Sequence, residues 1–371
     1  MVSVAQSSRT PAFVVLCGAV AVLNVVGLVM VLSASSVVAL ANYGSAWYFF
    51  DRQVAWSLAG ALVFVIASRR EYRAWSPAAP ILLGVAGLLL IAALVPGVGT
   101  VVDGSRRWLV YGPIRLQPSE LAKLALLIAG AHLLARRRSR FGDISMWRPL
   151  VVWAGVFAGL VMLEPDLGST LVLALIAFSL LFAAGIPRRA LLRLSAGAAA
   201  LTVVSAAVEP YRRARLLTFL HPGSDPSNTG YQLTQSLIAL GDGRLAGVGL
   251  GAGRAKWRFL PNAHTDFIFA VIGEELGLIG TLAVIGLFAG FGFVGFRIAR
   301  RAPDREGMLL AAGVTAWITG QAALNIGAVI GVLPVTGIPL PFVSVGGSSL
   351  VVNMFAVGLL ANVARHPAGA S

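Results

Sequence analysis

Ala12-Phe-Val-Val-Leu-Cys-Gly-Ala-Val-Ala-Val-Leu-Asn-Val-Val-Gly-Leu-Val-Met-Val-Leu32 is an apolar run without a charged side chain. It reaches the ~20 residues that a helix needs to cross a bilayer. It is too long for a signal-peptide core and no convincing small-residue cleavage site follows, so it reads as a retained helix. Runs of the same kind recur along the chain. The next expected spans are Gln53–Ser68, Ala78–Val95, Ser119–Ala135, Pro149–Leu163 and Gly168–Ile186. Leu191–Val208, Asp266–Phe296, Met308–Leu333 and Gly346–Ala364 complete the series. The short second, fourth and fifth spans rely on snorkelling arginines such as Arg52 and Arg69. The long eighth span contains Gly277, Gly280, Gly286 and Gly290, which predicts a tilt or a kink.

Composition agrees. Hydrophobic residues make up 57% of the 371, charged residues 12%, and mean hydropathy is +0.84. A soluble domain covers itself with roughly 25% charged residues, so lipid is the main solvent here. The expected fold class is an all-α polytopic membrane protein with about ten transmembrane helices and long extracytoplasmic loops. It forms one membrane domain over residues 1–371. The formal charge of +14 would suggest nucleic acid in a soluble chain. Most basic residues lie instead in short loops between apolar spans, as topology requires, and no nucleic-acid partner is expected. Cys17 sits inside the first span, can form no intrachain disulfide, and reads as a small apolar helix residue.

Loop charge predicts orientation. With the N-terminus inside, the inside loops hold Arg69, Arg70 and Arg73, then Arg136, Arg137, Arg138, Arg140 and Arg148. Arg188, Arg189 and Arg193 follow, then Arg297, Arg300, Arg301 and Arg305. The short loops decide, so both termini are expected in the cytoplasm. Two outside segments, Pro96–Pro118 and Pro210–Thr265, are too long and polar to be mere connectors. The second holds an expected short helix, Tyr231–Leu240, stopped by Gly241. Its glycine run Gly247-Val-Gly249-Leu-Gly251-Ala-Gly253 lacks the strand context of a nucleotide loop and reads as a flexible loop.

Ionisable groups at the membrane edge are expensive and therefore functional candidates. Glu120 and Lys123, three apart on one helix face, read either as a self-neutralising pair or as a charged cavity wall. Asp166, in the tight turn Glu164-Pro165-Asp166-Leu-Gly168, reads as a helix cap or as a site residue. Asp266 carries the same two readings at the start of the eighth span. Glu274 and Glu275 lie two turns deeper and are hard to explain as surface. The outside arginines Arg52, Arg106, Arg107, Arg115, Arg212, Arg213 and Arg215 have guanidinium forks that suit lipid headgroups or a diphosphate. His132, His221, His264 and His366 are scattered, and no Cys/His metal cluster or nucleophile elbow is present in the sequence. Carboxylates remain as the acid–base groups.

Several motifs, in order, then carry a resemblance. They are Tyr48-Phe-Phe-Asp-Arg52-Gln53, Gly104-Ser-Arg-Arg107-Trp108, Gln117-Pro-Ser-Glu120-Leu-Ala-Lys123 and Glu164-Pro-Asp166-Leu-Gly168. Tyr211-Arg212-Arg-Ala-Arg215 and Gly230-Tyr-Gln232-Leu-Thr-Gln235-Ser236 follow. Phe259-Leu-Pro261-Asn-Ala-His264-Thr-Asp266-Phe-Ile-Phe runs into Gly273-Glu274-Glu275-Leu-Gly277. Gln321, Asn325 and Pro339-Leu-Pro341-Phe-Val-Ser344-Val-Gly346-Gly347-Ser348-Ser349 close the series. Over nearly its whole length the chain resembles the SEDS family of cell-wall polymerases, in its FtsW-like branch more than its RodA-like one. Val345 departs from the tyrosine usual there.

The resemblance implies a ten-helix peptidoglycan glycosyltransferase that polymerises lipid II and releases undecaprenyl diphosphate at an extracytoplasmic site, with a division role favoured. Asp266 would be the general base. The implied substrate-binding set is Arg52, Arg107, Glu120, Lys123, Asp166, Arg212, Arg215, Gln235, Ser236, His264, Ser344 and Ser348. No bound cofactor is read from the sequence; the resemblance admits a divalent cation. Implied partners are membrane lipids, a class B penicillin-binding transpeptidase and division proteins. The rival readings are a lipid II flippase, a RodA-type elongation polymerase and a catalytically silent scaffold. A flippase needs polar groups through the whole membrane, whereas the polar motifs here gather outside.

Overall fold

The structure is a computed structural model. It describes residues 10–102, 105–112, 114–136, 144–208, 213, 219 and 229–366. Helix α1 (Pro11–Tyr43) starts from Thr10, whose hydroxyl accepts the Phe13 N–H, and ends on Gly44 in the left-handed region. Its 33 residues extend ~50 Å, past the hydrocarbon layer. The apolar run thus marks only part of the helix. The added turns contain Ser33, Ser35 and Ser36, which lower hydropathy without breaking the backbone ladder.

Helix α2 (Tyr48–Arg69) returns to a short 3-10 turn (Tyr72–Ala78) and α3 (Ala79–Leu94). The segment after α3 departs from an all-helical expectation. It forms an antiparallel sheet, β1 (Gly99–Val102), β2 (Ser105–Tyr111) and β3 (Ile114–Leu116), in the order β1-β2-β3. β-branched and aromatic residues flank an Asp-Gly pair in this segment, a hairpin signal in the sequence. Helices α4 (Pro118–Arg136), α5 (Ile144–Leu163), α6 (Leu167–Ala184) and α7 (Arg188–Val208) follow. Helix α8 (Thr229–Asp242) precedes α9 (Ile268–Arg300), α10 (Arg305–Val329) and α11 (Gly347–Arg365). Gly241 does not stop α8, which runs one residue beyond it.

Among the described residues nine helical segments are long and apolar enough to cross a membrane. The tenth expected span falls on α7, whose 21 residues extend ~30 Å. Helices α4 and α11 are the most enclosed, with α10 beside them. Leu58, Leu62, Ile81, Leu88, Leu192, Leu201, Leu282 and Phe293 are exposed on the outer helices, as lipid-facing side chains should be. Thr10 Oγ1 donates to the Ala364 carbonyl at 2.8 Å, so the two ends of the described chain lie together. The sheet lies at the other end of the bundle, where α1 ends and α4 begins.

Helix α9 does not merely tilt. At Gly277 (φ 68°, ψ −163°) its ladder breaks, and the preceding loop repairs the break. The Glu274 and Glu275 carbonyls accept from Val248 N (2.9 Å) and Gly249 N (3.1 Å). Leu278 N and Ile279 N donate to Arg244 O (2.9 Å) and Leu245 O (3.2 Å). Backbone groups at such a break need partners because the bilayer supplies none. The glycine run, expected to be a flexible loop, is therefore a fitted plug. The buried Glu274 carboxylate accepts from Arg254 N (2.6 Å), and Glu275 accepts from Ser33 Oγ (2.6 Å) and Gly251 N (3.1 Å). These contacts account for both acids.

A Cβ at Gly277 would lie 2.4 Å from Gly247 N and force a left-handed φ on an L-residue. Gly277→Ala is expected to destabilise the protein by ~1–3 kcal/mol for the backbone alone. A melt of purified protein in detergent checks this; an unchanged melting temperature would mean that the plugged break is not needed.

Candidate functional site

The sheet, the facing helix ends and two loops enclose a cavity of about 670 Å³. Its wall includes Arg52 and Gln53 of α2, Arg107 and Trp108 of β2, Arg115 of β3, Gln117, Asp166, His264, Asp266, Thr336 and Ser348. A wall that combines arginines, carboxylates and aromatic rings suits an anionic ligand that also has sugar-like faces.

The backbone at Asp266 is held on consecutive carbonyls. Val345 N donates to His264 O (3.1 Å), Ser344 Oγ to Thr265 O (2.6 Å), and Asn325 Nδ2 to Asp266 O (2.7 Å). Asn325 Nδ2 also donates to Ile338 O at 2.7 Å, and Gln53 Nε2 donates to Ser344 O at 3.2 Å. The loop before α11 is thereby fastened to the residue that sequence reasoning singles out. Asp266 is not the cap of α9: Phe267 occupies that position and no side chain caps the helix.

Asp166 does cap α6. It accepts from Ser169 N (2.8 Å), Ser169 Oγ (2.8 Å) and Gln117 Nε2 (3.1 Å), and Arg107 Nη1 stands 4.0 Å away. It is also part of the cavity wall. Glu164, in the same turn, is fully buried. Burial, reinforced by Asp166 and opposed by Arg107, pushes its carboxyl up to about 8. At the rim, Arg52 Nη1 donates to Tyr48 Oη (2.6 Å), Tyr43 stacks on Tyr48 (3.8 Å), and Phe49 packs on His264 (4.7 Å).

The Glu120–Lys123 pair lies behind the wall rather than in it. Lys123 Nζ, fully buried, donates to Glu120 Oε1 (2.8 Å) and Gln321 Oε1 (3.3 Å) and sits over the Trp317 ring at 5.4 Å. Gln321 Nε2 passes the connection on to Pro339 O at 3.0 Å. The pair thus supports the loop that holds Asp266.

Of the residues expected at the site, Arg52, Arg107, Asp166, His264, Asp266 and Ser348 line one cavity. Ser344, Glu120 and Lys123 stand behind it. Ser236 is buried and donates to Val329 O (2.8 Å), docking α8 on α10. Gln235 does not line the cavity, whereas Gln232 of the same helix does. Arg212 and Arg215 lie outside the described residues. Gln117, Gln321 and Asn325 were visible as motif members, but their bonding was not. Trp108 and Arg115, read in the sequence as a motif member and an outside arginine, also line the wall, and Thr336 completes it without a distinctive local signal. Among the described residues no group of three or more His, Cys, Asp or Glu side chains could hold a metal ion.

Fold and site together define a polytopic helical membrane protein with a polar, arginine-bearing cavity at one end of its bundle. Residues 14–368 match the family model described as cell cycle protein, FtsW/RodA/SpoVE, and the chain belongs to that family. It is 44% identical over 347 residues to the "Probable peptidoglycan glycosyltransferase FtsW" of Mycobacterium tuberculosis, covering 93% of this chain but 66% of the relative. It thus spans just under two thirds of that relative's length. It is 41% identical over 358 residues to the protein of the same description from Geobacter metallireducens, covering 96% and 95%. Among solved structures, one similar chain comes from work on the structural coordination of polymerization and crosslinking by a peptidoglycan synthase complex. The TM-score is 0.77 at 31% identity, over 94% of this chain and 96% of that one. The rod shape determining protein RodA of Thermus thermophilus gives 0.69 at 29% identity, over 94% and 95%.

Proposed function

We propose that the chain is a peptidoglycan glycosyltransferase that polymerises lipid II and releases undecaprenyl diphosphate. The observation that carries this is one cavity combining Asp266, on a backbone fixed at consecutive carbonyls, with Arg52, Arg107 and Arg115. Asp266 takes the proton from the acceptor sugar hydroxyl as its oxygen bonds to the anomeric carbon of the donor. The bond from that carbon to the diphosphate breaks, and its electron pair leaves with the diphosphate. That leaving group is already anionic, so guanidinium groups stabilise it without a separate acid. Asp166 orients Arg107, and His264 and Ser348 offer contacts to the sugars or the diphosphate. Arg212 and Arg215 are proposed to join them from the long loop.

Loop charge supports a cavity on the extracytoplasmic side, with both termini in the cytoplasm. The FtsW descriptions of relatives at 41–44% identity, against 29% for the RodA structure, favour the division branch. One solved relative belongs to a complex that couples polymerization to crosslinking. A class B penicillin-binding transpeptidase is accordingly the proposed partner, alongside division proteins.

Arg107→Ala is expected to lower kcat/KM for lipid II by about tenfold or more, the value of a lost charge-assisted hydrogen bond. Arg300→Ala, at the other end of the bundle, should stay within about twofold, as surface changes usually do. Steady-state polymerisation by purified variants checks both. Equal losses would point to folding rather than to recognition of the diphosphate.

A further inference from the structure

Glu164 is 0% exposed, and neither of its carboxyl oxygens has a hydrogen-bond partner among the described residues. It lies behind Asp166 and Arg107, which do line the cavity. Asp166 accepts from Ser169 and Gln117, and Arg107 faces it from β2. The charged groups acting on Glu164 are therefore Asp166 from its own turn and Arg107 from the sheet. Gln117, just before α4, and Ser169 of α6 are neutral, and the Glu120–Lys123 pair of α4 compensates itself. An unpaired carboxylate in such a place is unfavourable, and the neutral acid is the form that burial tolerates.

The charge balance has a consequence for an anionic ligand. With Glu164 neutral, one carboxylate faces Arg107 and the cluster carries no net charge. With Glu164 ionised, a second carboxylate stands behind the first and the cluster becomes net negative, where a diphosphate would have to sit.

We infer that Glu164 is a positioning residue for the diphosphate: by keeping its own proton it leaves the Arg107 guanidinium available to the ligand. This rests on the proposed function, because it specifies how the same cavity accepts that group. Linkage fixes the sign. The acid holds its proton up to about pH 8, so affinity should be level below that and fall above it. By reciprocity, ligand binding above that pH takes up a proton.

The test is lipid II binding to detergent-purified protein carrying Asp266→Asn, which prevents turnover, between pH 7 and 9.5. The diphosphate diester of lipid II does not titrate there. Affinity should weaken by up to about tenfold per pH unit above pH 8, the limit for a single proton. With Glu164→Gln added, affinity should stay level from pH 7 to pH 9.5. The same decline with and without the second substitution would overturn the inference and leave the proposed function standing. Absence of lipid II binding at pH 7 in the parent would instead overturn the function. If Glu164→Gln does not fold, the parent still decides, because a level profile to pH 9.5 contradicts the role.

Discussion

Lys123→Ala and Glu120→Ala should each lower both stability and polymerisation sharply. The pair is fully enclosed, at 0% and 1% exposure, so removing one partner strands the other charge in a poorly solvated place. Breaking a buried pair from one side typically costs ~3–5 kcal/mol. Replacing both at once, as Glu120→Leu with Lys123→Met, removes the stranded charge and should recover most of the stability. Activity should not return. Lys123 also holds Gln321, Gln321 holds the Pro339 carbonyl, and that loop holds the backbone at Asp266. Melts in detergent and lipid II polymerisation on the two single variants and the double variant separate the possibilities. A stable and fully active double variant would remove both residues from the site.

Asp266→Asn carries the other large effect. The amide has nearly the shape of the carboxylate but cannot take the acceptor's proton. Loss of a general base costs ~10²–10⁴-fold in rate. The fold should be retained, because the carbonyls of residues 264–266 are tied to Val345, Ser344 and Asn325 whichever side chain stands at 266. A folded variant that binds lipid II without polymerising it is the expected outcome.

The sequence was most informative where one physical requirement dominates. Spans were legible because the bilayer demands long apolar helices, yet their ends were not. Helix α1 continues to Tyr43 through serines that a hydropathy profile penalises. The sheet between α3 and α4 is hard to read in the sequence because its strands are short and lie in a chain otherwise dominated by helical signals. Gly277 was recognisable as a weak point, but the plug formed by the 243–256 loop depends on a contact between distant backbones. At the site, Asp166, Asp266 and the arginines were legible because charge at the membrane edge needs an explanation. Glu120 and Lys123 are charged as well, yet they stand behind the wall and bond to each other and to Gln321. Ser344, Asn325 and Gln321 act through ordinary hydrogen bonds, which sequence does not announce.

The measurement that bears most directly on the central claim supplies lipid II to the purified chain, with and without a class B transpeptidase, and follows strand length and diphosphate release together. Glycan strands should lengthen as undecaprenyl diphosphate is released in step with each disaccharide joined, and Asp266→Asn should stop both. Near wild-type polymerisation by Asp266→Asn would contradict the account. So would movement of lipid II across a liposome membrane by the wild-type chain with neither strand growth nor diphosphate release.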